Sequence, residues 1–417
     1  MLMTVFMALP LQAASERGFT KITLKNGLKV MYKVMKGQTR TSVNVVFPIG
    51  MNGEKEKGIA HLLEHLVFRG GAGYSFDDIA GITVRGGGYF TGFTYITATS
   101  YSYVVPNENL LKAIKIFNGS VWNTDTSEAS IALEKKIVLH ELDMDYSERY
   151  EYYPLFHYLL PEFTYNADTI SRIAQADLRN FHRTYYQPAN ATYIVAGDFD
   201  PKQLLAELET VSNGYGQGEV VKAEAREFDL PTGEIEESRN LYPYQYQVML
   251  AYQFSKMPEK DRIVLKLLGQ IYGMEYKINY VQNEFNFYYI LYRHVGESDY
   301  FGIYYNEPNR PFDPEELKQH KAVMLKYFRE FKKLNLKQAI ENLDQMVELE
   351  EAQSQESAVS AAQYEVSCLI DPDFLTPDNI SMIKKITVKD LERVMDQYFK
   401  EPPRTWILVK NTKSGGK

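Results

Sequence analysis

Residues 58–71 read Gly58-Ile-Ala-His61-Leu-Leu-Glu64-His65-Leu-Val-Phe68-Arg-Gly70-Gly71. Glycines at both ends bound a short helix. His61 and His65 are four residues apart, which places both imidazoles on one helix face, and Glu64 projects to the same side. Two neutral imidazoles suit zinc, and a neighbouring carboxylate suits proton transfer. The stretch therefore predicts a zinc site with a general base beside it.

A catalytic zinc site needs a third protein ligand and leaves one position for water. The single cysteine, Cys368, excludes both a cysteine-rich zinc site and an intramolecular disulfide. The best donor is a helical pattern near Ser127–Tyr146, which offers Glu134, Glu141 and His140. The two glutamates are seven residues apart and lie on nearly one helix face. Spacing alone does not choose among these three candidates.

Length and composition describe a multi-domain globular chain. The sequence has 417 residues, of which 45% are hydrophobic and 24% are charged. At about 150 residues per domain, two or three domains are expected. A formal net charge of −8 argues against nucleic acid as a partner. No stretch reaches the roughly 18 apolar residues that a membrane span needs.

The first fifteen residues form a short apolar run followed by small residues. This pattern resembles the apolar region and cleavage zone of a secretory signal, cut near Ala13 or Ala14. The positively charged start of such a signal is missing, so a cytoplasmic location stays open as the alternative. We expect export to a bacterial periplasm or to the medium.

An internal repeat organises the chain. Residues 173–178 and 386–391 share an Ile-x-x-x-Asp-Leu pattern, and both continue through an amphipathic helix into a strand at a constant offset of 213 residues. Such self-similarity predicts two homologous domains. We place a leader at 1–15, a zinc-binding domain at 18–216, a linker at 217–235 and a non-catalytic domain at 236–417.

Hydrophobic periodicity predicts the elements of both halves. In the first half, strands are expected at Phe19–Leu24, Lys29–Val34, Ser42–Phe47 and Thr97–Val105, and helices near Gly58–Phe68, Glu108–Ile116, Ser127–Tyr146 and Ala176–Tyr185. In the second half, we expect a strand at Gln245–Gln253, a helix at Glu259–Ile271 and a long helical zone at Pro314–Tyr364. Strands mixed with helices without strict alternation predict the α+β class.

The stretch 58–71 resembles the signature of the pitrilysin/insulinase family of zinc metallopeptidases, which carries an inverted zinc motif. Residues Gly87–Tyr101 resemble that family's edge-strand segment, and the repeat matches its two similar domains per half-enzyme. The resemblance implies that Glu141 is the third zinc ligand and that Glu134 is a supporting carboxylate. It also implies two domains, each a mainly antiparallel sheet packed with helices, that form half of a clamshell.

The resemblance further implies a zinc endopeptidase acting on unfolded peptides or short protein segments. One Zn2+ per chain, held by His61, His65 and Glu141, would polarise a water, and Glu64 would take its proton and deliver it to the leaving amine. The peptide would add as a strand to a sheet edge. The alternative is a non-enzymatic subunit of the same fold that binds peptides or assists assembly.

Four residues stand at positions where the family binds its substrate, namely Gly88, Thr91, Gly92 and Tyr289. The chain departs from the family at two of them, because relatives usually have Asn-Ala where this chain has Thr91-Gly92. The edge strand is expected to be kept, but the contacts that these two residues make with a substrate are open to change.

A second departure concerns an Arg that the family places seven residues before a Tyr in its non-catalytic half. Tyr289 fits the Tyr, but Gln282 replaces the Arg. Arg293 and Tyr300 have the same spacing, lie too late in the domain and are interpreted as a coincidence. We therefore expect a dimer. One form of it is a heterodimer with a homologous subunit that supplies the Arg–Tyr pair, and the choice between homodimer and heterodimer stays open in the sequence.

Overall fold

The computed structural model describes residues 13–14, 17–148, 165–215, 220–221, 229–239, 245–282, 288–295, 297–307, 310–329, 335–371 and 374–412. These residues form two compact units, one around a seven-stranded sheet and one around a five-stranded sheet. Within these ranges no helix is both long and apolar enough to cross a membrane. The predicted leader lies outside the described residues, except for Ala13–Ala14, which pair with Lys21 and Thr20.

The first unit contains nine strands: β1 (Ala13–Ala14), β2 (Thr20–Thr23), β3 (Lys29–Val34), β4 (Arg40–Phe47), β5 (Gly70–Gly71), β6 (Tyr74–Ser75), β7 (Tyr89–Thr94), β8 (Thr99–Pro106) and β9 (Thr192–Gly197). Seven of them form one sheet in the order β1-β2-β3-β9-β4-β8-β7, while β5 and β6 form a separate hairpin. All pairs in the large sheet are antiparallel except β3–β9. Strand β7 therefore lies at one edge of this sheet.

Seven helices follow or interrupt these strands: α1 (Ile59–Val67), α2 (Phe76–Ile82), α3 (Leu110–Trp122), α4 (Glu128–Glu148), α5 (Ala167–Arg172), α6 (Gln175–Tyr185) and α7 (Pro201–Ser212). Helix α1 packs against β7 and against α6. Its apolar face is fully buried through Leu62, Leu63 and Leu66. This burial fixes the rotation of α1 and leaves His61 and His65 half-buried.

The second unit contains β10 (Gly233–Arg239), β11 (Tyr246–Ser255), β12 (Tyr288–Val295), β13 (Ser298–Glu307) and β14 (Thr405–Asn411). The helices in this part of the chain are α8 (Glu259–Gln282), α9 (Pro314–Arg329), α10 (Leu336–Ser354), α11 (Ala358–Ile370), α12 (Pro377–Ile383) and α13 (Val388–Tyr398). Helix α11 belongs to the first unit, which includes residues 351–371. The strand order is β10-β14-β11-β13-β12, with β10 and β14 parallel and the other pairs antiparallel.

The two units share one topology. The order β3-β9-β4-β8-β7 in the first sheet corresponds to β10-β14-β11-β13-β12 in the second, and in each the first pair is the parallel one. Helix α6 starts at Gln175 and α13 at Val388, an offset of 388 − 175 = 213 residues. The predicted α+β class, with two similar and mainly antiparallel units, is confirmed.

Several ranges differ from the predicted ones; for example, the helix predicted at Glu259–Ile271 extends to Gln282. The long helical zone is three helices, and the last of them, α11, packs on β4 and β9 of the first unit. Ala358, Ala361 and Ala362 recur on one face of α11, and their small side chains join the core of the first unit. Strand β10 begins at Gly233, inside the stretch predicted as linker.

Candidate metal centre

The start of helix α1 is built by a glycine and a buried glutamate. Gly58 adopts a left-handed conformation with φ of 87°, which a glycine reaches without steric cost. The Glu54 carboxylate accepts hydrogen bonds from the backbone N–H of Gly58 at 2.8 Å and of Ala60 at 2.7 Å. It thus satisfies donors at the helix start and places negative charge at the positive end of the helix dipole.

Helix α1 presents two half-buried histidines to helix α4. The Nε2 atoms of His61 and His65 are 3.3 Å apart. His61, His65 and Glu141 each offer a ligand atom, and these atoms all lie within 4.8 Å of one another. Two nitrogens bound to tetrahedral zinc at about 2.05 Å would be about 3.3 Å apart, so the imidazole pair already has the spacing that zinc requires.

A buried carboxylate orients His65. Glu134 is 2% exposed, and its Oε2 lies 3.0 Å from Nδ1 of His65. The guanidinium of Arg69 donates to the other oxygen and lies over the ring of Phe76, 5.3 Å from its centroid. Because Glu134 accepts the Nδ1 hydrogen, the lone pair of His65 is on Nε2, the atom that faces His61.

The three candidates for the third ligand differ in position. Glu141 joins the histidines, Glu134 contacts the far nitrogen of His65, and His140 is exposed and absent from this group. The two glutamates are two turns apart on α4, so the same face of that helix serves both roles. The donor set of two imidazoles and one carboxylate fits zinc.

Glu64 is 8% exposed and lies against strand β7. Its Oε2 accepts a hydrogen bond of 2.8 Å from the hydroxyl of Thr94. Its Oε1 lies close to Gly92: an ideal Cβ at that position would be only 2.6 Å from this oxygen, too close for a normal contact. The carboxylate therefore sits between the zinc helix and the edge strand.

Two of the predicted substrate residues also lie on or beside β7. Thr91 is opposite Ser102 of β8, and Gly88 directly precedes the strand. A Cβ at Gly88 would come within 1.8 Å of the carbonyl oxygen of Val104, so only glycine fits there. Among the described strands β7 pairs with β8 alone, which leaves its outer edge open to an added strand.

The remaining predicted residues belong to the second unit. Gln282 is the last residue of α8, and Tyr289 lies on β12 opposite Tyr304. Arg293 and Tyr300 face each other across the β12–β13 pair, and Tyr300 is fully buried. The ring of Tyr300 therefore has no access to a ligand from this position.

Two tyrosines line the interior side of Glu64. The hydroxyls of Tyr101 and Tyr186 are 2.7 Å apart. Burial raises the pKa of Tyr101 well above its usual range, and the neighbouring Tyr186 and the carboxylate of Glu64 act in the same direction. Burial likewise raises the pKa of Tyr186. Both hydroxyls therefore stay protonated and uncharged at neutral pH.

Sequence reasoning missed three residues at this centre. Glu54 caps α1, Arg69 pairs with Glu134, and Thr94 donates to Glu64. A signal was available for Thr94, because Gly92 and Thr94 are two residues apart and a strand places such residues on the same face. No comparable local signal connects Arg69 to Glu134.

A zinc-type donor set on a repeated α+β fold is typical of metallopeptidases with an inverted motif. More narrowly, the chain belongs to the insulinase family, peptidase family M16. Residues 29–174 match the family described as insulinase (peptidase family M16), and residues 172–343 match the one described as the M16 inactive domain.

Relatives in sequence carry zinc protease names. The chain is 26% identical over 293 residues to the zinc protease PqqE of Helicobacter pylori, covering 63% of this chain and 62% of the relative. It is 28% identical over 218 residues to an uncharacterized zinc protease of Rickettsia felis, covering 49% of this chain and 52% of the relative. The matched region is thus between half and two thirds of each relative's length.

Solved structures share the fold over nearly the whole chain. A protease from Helicobacter pylori matches with a TM-score of 0.76 at 22% identity, covering 94% of this chain and 99% of that one. The periplasmic protease PqqL from Escherichia coli matches with a TM-score of 0.66 at 17% identity, covering 98% of this chain but 48% of that one. At these identities the similarity establishes the fold.

Proposed function

We propose that this chain is a zinc-dependent endopeptidase that cleaves unfolded peptides or short protein segments. The observation that carries the proposal is the group formed by His61, His65 and Glu141, with the buried carboxylate of Glu64 on the same helix as the histidines. The zinc protease names of its relatives support the same reaction.

His61, His65 and Glu141 would hold the zinc ion, and Glu134 would keep His65 in the tautomer that binds it. Zinc in such a centre polarises a water and the scissile carbonyl. Glu64 acts on protons: its carboxylate accepts one from the attacking water and later donates it to the leaving amine nitrogen.

The substrate would add as a strand to the open edge of β7. Backbone hydrogen bonds then supply most of the affinity, so the peptide must be extended and unfolded at the cleaved bond. Gly88, Thr91 and Gly92 would lie along that peptide, and Tyr289 of the second unit stays a proposed substrate-binding residue. The expected domains are those at 18–216 and 236–417.

The active form is proposed to be a dimer, and specifically a heterodimer with a homologous subunit. Gln282 stands where the family has an Arg, so a second copy of this chain would not provide that group. The chain also covers about half of the PqqL chain, 48%. Mixing the purified chain with a homologue that carries the Arg–Tyr pair should raise activity, whereas full turnover by the chain alone would contradict a heterodimer.

Export is proposed from the apolar run at the start of the sequence, and one structural relative is described as periplasmic. Expression of the full sequence in a bacterium, followed by fractionation and N-terminal sequencing, tests this. We expect a chain that begins near Ala14 or Ser15 in the exported fraction; an uncut chain in the cytoplasm would contradict export.

The proposed reaction is tested with a library of quenched fluorescent peptides and the substitution Glu64→Gln. The variant should retain zinc and its thermal unfolding temperature but lose about a hundred- to ten-thousandfold in kcat, since removal of a general base typically costs two to four orders of magnitude. The matched control is Glu56→Gln, on an exposed residue of the segment before α1. Bound zinc without cleavage by either wild type or variant would favour the binding-subunit alternative.

A further inference from the structure

Strand β7 contacts Glu64 through two residues on one face. The hydroxyl of Thr94 donates to Oε2 at 2.8 Å, and Gly92 lies under Oε1 and Cγ. Positions 92 and 94 share a face because side chains alternate along a strand. The carboxylate thus accepts a hydrogen bond at Oε2 from the edge strand of the sheet and packs with Oε1 over Gly92 of the same strand.

The hydrogen bond from Thr94 restricts the orientation of the Glu64 carboxylate. The last torsion of a glutamate is broad, so a carboxylate without a fixed donor samples many orientations. Glu64 is 8% exposed, and a buried charge of this kind is stabilised by hydrogen bonds from its surroundings. The hydroxyl of Thr94 is such a donor, and it selects the orientation in which Oε2 faces the strand.

The missing side chain at position 92 makes the contact possible. An ideal Cβ there would lie 2.6 Å from Oε1 and 2.9 Å from both Cδ and Cγ of Glu64. These distances are too short for any side chain other than that of glycine unless the glutamate moves. The carboxylate therefore occupies the volume that a side chain at position 92 would otherwise fill.

We propose that Thr94 is a positioning residue for Glu64, and that β7 sets the orientation of the base and the position of the substrate together. The inference rests on the proposed function, in which the peptide adds to β7 and Glu64 is the base. One rigid element then defines the distance between them, because a displacement of β7 shifts the base and the bound peptide in the same direction.

The test is the substitution Thr94→Val, which removes the hydroxyl and keeps the shape of the side chain. Loss of a hydrogen bond to a charged group should lower kcat about ten- to a hundredfold. KM and zinc content should stay within about twofold of the wild type, because the substrate edge and the metal ligands are unchanged. Thr94→Ser restores the donor and should recover most of kcat.

Thr97→Val is the matched control. Its hydroxyl donates to the carbonyl oxygen of Ile370 at 3.1 Å, away from Glu64. The control makes the same chemical change three residues along and should leave kcat within about twofold of the wild type. If the loss of a threonine hydroxyl acted only through the structure, kcat would fall by a similar factor in Thr94→Val and Thr97→Val. Equal kcat values for Thr94→Val and wild type, or no recovery in Thr94→Ser, would overturn the proposal.

A second readout does not need catalysis. Urea unfolding of the wild type, Thr94→Val, Glu64→Ala and the double variant forms a cycle that isolates the coupling between the two side chains. The expected result is that Thr94→Val destabilises the wild type more than it destabilises the Glu64→Ala background. Additive effects would overturn the proposed contact. If the wild type cleaves no peptide either alone or mixed with a homologue that carries the Arg–Tyr pair, the proposed function fails, and the unfolding cycle still decides whether Thr94 holds Glu64.

Discussion

Replacement of Glu134 by glutamine tests how the metal centre is oriented. Glu134 accepts two hydrogen bonds, from Nδ1 of His65 at 3.0 Å and from the guanidinium of Arg69, and it is 2% exposed. A glutamine of the same shape has one acceptor oxygen and one NH2 group. Since both neighbours are donors, one of the two contacts in Glu134→Gln becomes a donor facing a donor.

The size of the effect follows from that lost contact. A hydrogen bond to a charged group contributes about 1.5 to 3 kcal/mol, and each 1.4 kcal/mol is about a tenfold change in an equilibrium constant. Mutations of residues that orient metal-bound histidines cost about 10- to 100-fold in metal affinity. We therefore expect Glu134→Gln to raise the zinc dissociation constant by about 10- to 100-fold.

The assay is a competition titration with a zinc chelator of known affinity, carried out on the wild type, Glu134→Gln and Glu128→Gln. The control residue lies on the same helix and is exposed. It should leave zinc affinity unchanged. Glu141→Gln should weaken zinc binding more than Glu134→Gln does, since it alters a ligand. If Glu134→Gln binds zinc as tightly as the wild type, or more weakly than Glu141→Gln does, the assigned roles of the two glutamates are wrong.

Two further predictions concern stability. The Asp261 carboxylate is 1% exposed; although burial raises its pKa, hydrogen bonds from Arg393 and Tyr398 hold that pKa below its usual value. Because the folded pKa is depressed, its stabilisation is present above the unfolded pKa of about 3.9 and is lost as pH falls through the folded pKa. Urea unfolding should show Asp261→Asn about 2 kcal/mol less stable than wild type at pH 7, with a difference that shrinks below about pH 4; a pH-independent difference would contradict this. Gly70→Ala should lower the thermal unfolding temperature more than Gly73→Ala, because both residues have positive φ but only the first lacks room for a Cβ; equal effects would contradict the reasoning.

The elements that carry the metal-binding residues could be predicted because their signals are local. The spacing of His61 and His65 requires only the helical period, and α1 and α4 lie where that period predicts them. The repeat predicted two similar units because a constant offset requires no knowledge of packing. The choice of Glu141 over Glu134 came from the resemblance to a family, since two residues on one helix face are equivalent in sequence.

Contacts between distant segments could not be predicted in this way. The pairing of Arg69 with Glu134 joins residues 65 positions apart, and the packing of α11 on β4 and β9 joins segments that are far apart in the sequence. Neither contact produces a periodic pattern in the sequence, because tertiary packing rather than local conformation brings the partners together. The hydrogen bond from Thr94 to Glu64 could be predicted only in part. Strand alternation places Thr94 on the same face as Gly92, but it does not show which carboxylate lies against that face.

The most direct test of the central claim is a crystal structure of the zinc-loaded chain with anomalous data collected on both sides of the zinc absorption edge. The account predicts one strong zinc peak, bound by the Nε2 atoms of His61 and His65 and by a carboxylate oxygen of Glu141. These bonds should be about 2.0 to 2.2 Å long. A zinc peak at other residues, or no peak after loading with a stoichiometric amount of zinc, would contradict it.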